Sequence, residues 1–206
     1  MTSAQQRRRE IQAAIRDAAI REFARNGLAG TSTAAIAQSA GITKAQLHYY
    51  ISSKEELYQD ALGHIVTEWR DIFFINAPGD DPASTISAYI ARKIRHSLDH
   101  PDVSRFFASE IARGAPEMGE HWGALKAAVQ DANAVIEGWI AAGKIAPLDP
   151  LLFQFNIWAV TQHYAEYEAQ ARVLMEVPEG AALDLDRIIA EATGLFLARC
   201  GLVERG

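Results

Sequence analysis

The feature that most constrains the fold of this chain is a helical periodicity that runs through almost its whole length. Apolar residues recur at intervals of three and four, and strand-like alternation never lasts beyond a few residues. Glycine and proline interrupt this pattern, most clearly in the Asn-Ala-Pro-Gly-Asp-Asp-Pro run at 76–82. The sequence therefore predicts an all-α protein of about nine helices. The predicted helices span about 7–26, 33–40, 43–51, 53–75, 83–99, 101–114, 117–143, 149–175 and 184–200.

The charge of the chain is divided unevenly along its length. The net charge is -6, yet residues 1–54 hold 8 lysines and arginines against 3 acids, and the remainder holds 12 against 23. A basic head on an acidic body suggests that the head meets a polyanion. The Arg7-Arg-Arg9 run within the head has two open interpretations: a solubilising end, or a contact to a phosphate or the adjacent minor groove.

Two short helical patterns, at 33–40 and 43–51, flank Gly41 and form a helix-turn-helix pattern. Glycine at this position supplies a sharp turn that a residue with a Cβ would resist. The apolar positions that pack the two helices together are Ile36, Ala37, Ala40, Ile42, Leu47, Tyr50 and Ile51. Because these residues share the inner side, the opposite side of the second helix is predicted to face away from the protein.

The outward side of the second helix has side chains that suit a DNA duplex. Gln46 can donate and accept at an adenine edge in the major groove, and Ala45 is small enough to touch a thymine methyl group. Other side chains can reach phosphates, directly or from the start of a helix. These further predicted DNA contacts are Thr31, Thr33, Thr43, Lys44, His48, Tyr49 and Lys54. A helical corner without a ligand is the alternative, which the local charge and the turn spacing disfavour.

The same segment resembles the N-terminal DNA-binding domain of the TetR family of bacterial transcriptional regulators. The matching motifs are Phe23-Ala-x-x-Gly27, Thr31-Ser-Thr, Ile36-Ala-x-x-Ala-Gly41-Ile-Thr43 and Leu47-His-Tyr-Tyr50-Ile-x-x-Lys54-Glu-x-Leu57-Tyr58. Many members carry Tyr-His where this chain has His48-Tyr49, so we expect the two side chains to divide the phosphate contacts differently. The resemblance implies a homodimer whose two heads read the halves of a palindromic operator, about one helical turn (about 34–36 Å) or a multiple of it apart. It also implies a three-helix DNA-binding domain at 1–53 and a larger effector-binding and dimerisation domain at 54–206.

The last helices are predicted to form the dimer interface. The helix at 149–175 has one apolar stripe through Leu151, Phe155, Trp158, Gln162 and Ala165 and a second through Phe153, Ile157, Val160, Tyr164, Tyr167, Ala171 and Leu174. A helix that is apolar on two sides is packed on both. We therefore expect it to lie between its own core and a partner subunit, together with the helix at 184–200. A helix central to a monomeric bundle is the alternative.

The larger domain also holds a predicted effector site. Gln162 interrupts an apolar stripe, and a buried amide needs a partner from the protein or from a ligand. Trp69 offers a flat apolar wall for a planar ring. The segments Phe106-Phe-x-x-Glu110-Ile-x-x-Gly114-Ala-Pro116, Ala142-Gly-Lys-Ile-Ala-Pro-x-Asp-Pro150 and Ile157-Trp-Ala-x-Thr-Gln-His-Tyr-Ala165 are similar to the C-terminal domain of pyrimidine-utilisation regulators within the TetR family. That resemblance implies uracil or a similar planar effector, bound by Trp69 and Gln162. Phe73, Phe106 and Trp158 complete the predicted set.

Other function classes are poorly supported by the sequence. The chain has no nucleophile-elbow, P-loop, dinucleotide or metalloprotease motif, so we expect no cofactor and no catalytic set. His96 and His100 have a metal-binding spacing but no obvious third ligand. With one cysteine, Cys200, no signal peptide and no membrane-length apolar run, a cytoplasmic protein without membrane contact is expected. The leading interpretation is a ligand-responsive repressor. An effector-independent DNA-binding dimer and an all-helical enzyme are the alternatives.

Overall fold

The computed structural model describes residues 3–72 and 81–202, and within these residues helices joined by turns and loops occur without a β-strand. This confirms the predicted all-α class, with ten helices in the described part of the chain in place of about nine. The helices are α1 (Ser3–Gly30), α2 (Thr33–Ser39), α3 (Lys44–Tyr50), α4 (Lys54–Ile72), α5 (Pro82–Asp99), α6 (Pro101–Ala112), α7 (His121–Ala141), α8 (Pro150–Glu166), α9 (Glu168–Leu174) and α10 (Leu185–Cys200). None of the described helices is both long and apolar enough to cross a membrane.

The described residues form two compact units. The first comprises those within Met1–Thr67 and Asp102–Trp122, and the second those within Glu68–Pro101 and Gly123–Gly206. The boundary between the two compact units therefore falls inside α4. The predicted boundary between residues 53 and 54 concerns which residues bind DNA and which bind an effector, and it stays a prediction.

Aromatic rings from three helices build the core of the first unit. The ring centroid of Phe23 in α1 lies 4.9 Å from that of Tyr58 in α4 and 5.9 Å from that of Phe106 in α6. The Tyr58 and Phe106 centroids are 4.7 Å apart, and all three side chains are buried. Edge-to-face and offset contacts of this kind add to the free energy gained from apolar burial. This aromatic cluster fixes α1 against the start of α4.

The first helix continues past its predicted end. Asn26-Gly27 was expected to stop the helix, but α1 runs on to Gly30. Gly27 has φ +66° and ψ 176°, which is not helical, so the glycine bends the helix and a further turn follows it. The predicted stop is therefore a kink.

The central helix of the second unit is α5, which packs against both α8 and α10. Its buried side consists of Pro82, Ile86, Tyr89, Ile90, Lys93, Ile94 and Ser97. Ser97 Oγ lies 3.1 Å from the carbonyl oxygen of Thr161 in α8, to which it can donate. Three polar side chains thus share the inner side of α5 with aliphatic residues.

The segment predicted as one helix at 149–175 is two helices. The backbone leaves the helical conformation at Tyr167 (φ -111°, ψ 34°), between α8 and α9, and no glycine or proline marks this break. The two predicted apolar stripes differ in burial. The buried residues of α8 are Phe153, Gln154, Ile157, Thr161 and Ala165. Leu151 and Phe155 are exposed instead, so one side of α8 faces the core and another carries uncovered apolar side chains.

Candidate DNA-binding surface and effector region

The turn between α2 and α3 is built as the sequence predicts. Gly41 has φ +70°, a conformation that is strained for residues with a side chain. Ile36 of α2 and Leu47 of α3, on either side of the turn, are both fully buried. Arg21 Nη2 of α1 donates to the carbonyl oxygen of Ser39 at 3.3 Å and ties α1 to the end of α2. These contacts use the inner side of α3, so its outer side is left facing solvent.

A reciprocal capping box fixes the first turn of α3. The N–H of Gln46 donates to Thr43 Oγ1 at 3.1 Å, and the N–H of Thr43 donates to Gln46 Oε1 at 2.9 Å. The amide oxygen of Gln46 uses one of its two lone pairs in this contact, so it can still accept a second hydrogen bond, and both amide hydrogens can still donate. The capping box therefore holds the Gln46 amide in place while leaving it able to donate and accept at a base edge.

The outer side of α3 is exposed along its length. Tyr49 is 74% exposed, and its ring stands edge-on to that of Tyr50 at 5.1 Å. The other exposed members of the predicted set are Thr43, Lys44, Ala45, Gln46 and His48. One small residue, one amide, two rings and one cation thus lie on the same short helix, which is the mixture a base-and-phosphate surface needs.

The start of α2 corrects part of the prediction. Thr31 is only 3% exposed, and its hydroxyl lies 2.8 Å from the carbonyl oxygen of Gly27 and 3.0 Å from that of Glu22. This hydroxyl ties the chain to α1, so the expectation that it reaches a phosphate is wrong. The residue that caps α2 is Ser32, whose Oγ accepts from the N–H of Ala35 at 3.1 Å. Ser32 is exposed and was missed, although its place one residue before the helix was a usable signal.

The start of α4 lies against the same region. Lys54 is half-buried, and its Nζ donates to the carbonyl oxygen of Thr31 at 2.9 Å, so two ammonium hydrogens remain for a phosphate. Ser53 Oγ accepts from the N–H of Glu56 at 3.0 Å, which caps the start of α4. Thr33 is half-buried and the Arg7-Arg-Arg9 run is exposed; a DNA contact from any of them stays a prediction.

A buried carboxylate in the first unit was missed by the sequence reasoning. Glu110 accepts from Tyr58 Oη at 2.9 Å, from the N–H of Glu117 at 2.6 Å and from Arg113. Arg113 Nη2 also donates to Tyr58 Oη at 3.1 Å. Burial raises the pKa of Tyr58 and the Glu110 charge raises it further, so the phenol keeps its proton and donates. The signal was an acid four residues after Phe106, on the buried side of a helix, where it needs partners.

The second unit, which contains the predicted effector residues Trp69 and Gln162, also has a buried lysine that the sequence reasoning missed. Lys93 is 3% exposed, and its Nζ lies 5.9 Å from the centre of the Trp69 ring, within cation–π distance. Loss of hydration lowers the pKa of Lys93 to about 7, while the charge of Glu166 acts in the opposite direction. Trp69 is itself buried, so the predicted ring wall stands beside a cation and not in a purely apolar pocket.

The predicted α8 residues are half-buried and therefore less enclosed than expected. Trp158 Nε1 donates to Tyr89 Oη at 3.0 Å, which joins α8 to α5. Gln162 lies one turn further along α8. The structure thus places Trp69, Trp158 and Gln162 in the same unit. Their contact with an effector stays a prediction.

The remaining two predicted effector residues lie elsewhere. Phe106 belongs to the first unit, where the rings of Phe23 and Tyr58 account for its burial. Phe73 lies outside the described residues. The rings of His96 and His100 are 4.8 Å apart, but the described part of the chain contains no group of three or more residues placed to hold a metal ion.

An open apolar groove runs between α8 and α10, the helices predicted to form the dimer interface. Its walls include Leu152, Phe153, Val160, Leu195 and Phe196. Leu152 and Leu195 are 55% and 57% exposed, which is unusual for large aliphatic side chains in an isolated subunit. The groove therefore leaves apolar side chains uncovered on the two helices that are predicted to form the dimer interface.

Comparison with known protein families matches a short N-terminal part and a longer C-terminal part of the chain separately. The model of the bacterial regulatory proteins of the tetR family matches residues 15–61, and that of the YcdC-like protein C-terminal region matches residues 62–203. The HTH-type transcriptional regulator RutR of Escherichia coli strain K12 is 40% identical over 171 residues, which cover 82% of this chain and 79% of that protein.

Solved structures with a similar fold include two transcriptional regulators. The putative transcriptional regulator SCO4942 from Streptomyces coelicolor has a TM-score of 0.70 at 22% identity, covering 91% of this chain and 96% of the other. AibR in complex with isovaleryl coenzyme A and operator DNA has a TM-score of 0.67 at 18% identity, covering 90% and 97%. At these identities the likeness concerns the fold.

Proposed function

Because the chain belongs to the TetR family of DNA-binding transcriptional regulators, and is not an enzyme, we propose that it is a repressor that releases its operator when a small planar molecule binds. The proposed form is a homodimer that reads a palindromic operator with one α3 from each subunit. The observation that carries the proposal is the outer side of α3, where a capped, polar and aromatic surface is exposed to solvent.

The proposed division of labour on α3 separates base readout from phosphate contact. Gln46 and Ala45 read base edges, whereas Lys44, Thr43, His48 and Tyr49 contact phosphates. Thr43 Oγ1 accepts from the N–H of Gln46, so its own hydrogen can donate to a phosphate oxygen. Ser32 replaces Thr31 as the contact at the start of α2, because its hydroxyl is exposed while that of Thr31 is used internally.

Fluorescence anisotropy with a labelled palindrome from the region upstream of the gene tests this surface. Gln46→Ala is expected to lower the discrimination against one wrong base pair by about tenfold. Lys44→Ala is expected to weaken binding to all DNA sequences alike. It should also reduce the slope of log affinity against log salt concentration by about one. Lys126→Ala, which removes an exposed lysine from α7, is the matched control and should change neither. Unchanged binding in both α3 variants would show that α3 is not the reading helix.

The proposed dimer forms through the α8–α10 groove. Leu152→Glu and Leu195→Glu each place a charge in the uncovered apolar surface and should shift the protein toward monomer in sedimentation velocity. Operator affinity should fall as the dimer dissociates, because a monomer reads only one half-site. Val173→Glu changes a more exposed apolar residue of α9 that does not line this groove and serves as the control. A dimer that persists in both groove variants contradicts this interface.

The proposed effector is a pyrimidine such as uracil, held by Trp69 and Gln162. The support is the buried Trp69 ring, the half-buried Gln162 amide in the same unit, and the relation to RutR. Uracil should raise the melting temperature and weaken operator binding, and Gln162→Leu should remove both effects. The alternative is an effector-independent DNA-binding dimer. It is favoured if no nucleobase changes either the melting temperature or the operator affinity.

A further inference from the structure

The side-chain amide of Gln46 is held by the protein at its oxygen and left open at its nitrogen. Its Oε1 accepts from the N–H of Thr43 at 2.9 Å, whereas none of the described residues accepts a hydrogen bond from its Nε2. A backbone N–H can only donate, so this contact decides which end of the amide is the oxygen. Gln46 is nonetheless exposed, and so are its neighbours Lys44 and Ala45. The capping box therefore presents an exposed amide in one orientation, with both Nε2 hydrogens unused.

The orientation of a glutamine amide matters for reading a base. In the major groove, adenine presents an acceptor, N7, beside a donor, the N6 amine, so a bidentate contact requires the amide nitrogen and oxygen in one order only. A glutamine that is free in solution can turn its amide over and must be ordered when it binds. A side chain that is already held in the required order avoids much of this loss of rotamer entropy.

A second capping box in the same unit shows what the amide adds. At the start of α4 the N–H of Ser52 donates to Glu56 Oε2 at 3.2 Å, and the N–H of Glu56 donates to Ser53 Oγ at 3.0 Å. A carboxylate thus serves this cap, and its negative charge also suits the start of a helix. Gln46 makes the same kind of contact without that charge. It differs from a glutamate by its two amide hydrogens, which are the part that capping does not use.

Resting on the α3 surface proposed above, we infer that the Thr43 N–H presets the base readout of Gln46. The N–H holds Gln46 so that Nε2 donates to N7 of an adenine while Oε1 uses its second lone pair to accept from the N6 amine of the same base. Gln46 is then the specificity-determining residue. Thr43 is a positioning residue that acts through its main chain, in addition to any phosphate contact of its hydroxyl.

Two substitutions of Thr43 separate its N–H from its hydroxyl. Thr43→Ala and Thr43→Pro both lose the hydroxyl, but only the proline variant loses the N–H, and the φ of -76° at this position is one that proline adopts. Fluorescence anisotropy is measured with the upstream palindrome and with a set in which each half-site position is changed to the other three base pairs. Thr43→Ala should weaken binding to all sequences alike. Thr43→Pro should also lower the discrimination at the position read by Gln46 by about three- to tenfold, because the side chain is no longer ordered. Thr43→Ser, which keeps both groups, should behave as the wild type.

Gln46→Glu tests the role of the amide itself. The carboxylate can still accept from the Thr43 N–H, so the melting temperature should not fall. Because a carboxylate offers no donor, the preferred base at that position should change from adenine toward cytosine, whose N4 amine donates, with a change of about tenfold in their affinity ratio. Glu56→Gln makes the reverse exchange in the capping box of α4 and is the matched control, which should leave every base preference unchanged.

Four results overturn the inference. Equal discrimination in Thr43→Pro and Thr43→Ala shows that Gln46 reads DNA without help from the N–H. An unchanged base preference in Gln46→Glu shows that Gln46 only caps the helix. A wild-type preference other than adenine at the position that Gln46→Ala affects contradicts the assigned order of donor and acceptor. If circular dichroism shows that Thr43→Pro has lost helix, Gln46→Glu decides alone, and adenine preference retained there overturns the inference. The regulator proposal fails separately, when Gln46→Ala and Lys44→Ala both leave operator binding unchanged.

Discussion

Among the described aspartate, glutamate, lysine and arginine side chains, two are buried: Glu110 in the first unit and Lys93 in the second. Their surroundings differ. Glu110 receives hydrogen bonds from the Tyr58 hydroxyl, from Arg113 and from the N–H of Glu117. Lys93 has the Trp69 ring and the charge of Glu166 near it, yet loss of hydration still dominates its pKa.

The difference separates a carboxylate with three identified donors from a lysine whose pKa is governed by its burial. A buried carboxylate with three donors behaves as a rigid part of the core, and it joins α4 to the end of α6 inside the first unit. Burial disfavours the charged form of a lysine, so Lys93 gives up its proton more readily than a lysine in water. The comparison therefore predicts that the Glu110 network stabilises the protein and that Lys93 makes its stability depend on pH.

The largest expected effect comes from Glu110→Ala. Removing the carboxylate leaves the Tyr58 hydroxyl and the N–H of Glu117 without their acceptor, and each donor left unpaired costs about 1–3 kcal/mol, whereas the exposed Arg113 can turn to water. Urea unfolding at fixed protein concentration measures this, because dimer stability depends on concentration. Glu120→Ala, an exposed acid nearby, is the control and should change the free energy of unfolding by less than about 0.5 kcal/mol. A loss below about 1 kcal/mol for Glu110→Ala would remove the structural half of the comparison.

The helix-turn-helix could be predicted from the sequence because the contacts that define its turn and its helix cap are local. Gly41, the Thr43–Gln46 capping box and the buried Leu47 all lie within a few residues of one another. Their geometry depends on backbone conformation and short-range hydrogen bonds, which residue type and spacing specify directly. The same holds for the Ser53 cap of α4.

Lys93 and the break at Tyr167 could not be predicted in the same way, because both depend on distant packing. Lys93 does stand on the apolar stripe that includes Ile90 and Ile94, which was a usable signal. A lysine at such a place usually reaches solvent past its neighbours, and only the positions of α4 and α8 show that this one does not. Tyrosine, the residue at 167, is not a type that breaks a helix. The burial of Thr31 goes with the continuation of α1 beyond Gly27.

A second prediction concerns how stability depends on pH. In the folded protein the pKa of Lys93 is about 7, against an ordinary value of 10.5, so between these values the unfolded chain binds more protons. Stability contributed by this group is therefore lost as pH falls toward 7 and gained as pH rises. From pH 7 to 9 the wild type should gain about 2 kcal/mol relative to Lys93→Met.

Urea unfolding at several pH values between 7 and 9 checks this slope. Groups that titrate equally in both proteins contribute equally to both slopes, so their effect cancels in the comparison. The buried Cys200 thiol is one such group, and burial raises its pKa to about 11. Arg95→Met should keep the wild-type slope, since its side chain is exposed. Parallel pH profiles for the wild type and Lys93→Met would mean that Lys93 keeps its proton in the folded state, and the contrast with Glu110 would disappear.

The smallest expected effects come from two matched tyrosine variants, one in each region. Tyr58→Phe removes a donor from Glu110 and should cost about 1.5 kcal/mol, because the acceptor is charged. Tyr89→Phe removes only the acceptor for Trp158 Nε1, a neutral bond, and should cost about 1 kcal/mol or less. Uracil affinity distinguishes the regions further. Tyr89→Phe should change it, since Trp158, a residue of the proposed effector site, loses its hydrogen bond to α5, whereas Tyr58→Phe should not. If Tyr58→Phe alters uracil affinity as much as Tyr89→Phe does, the Glu110 network takes part in effector binding, and the assignment of separate roles to the two buried charges is wrong.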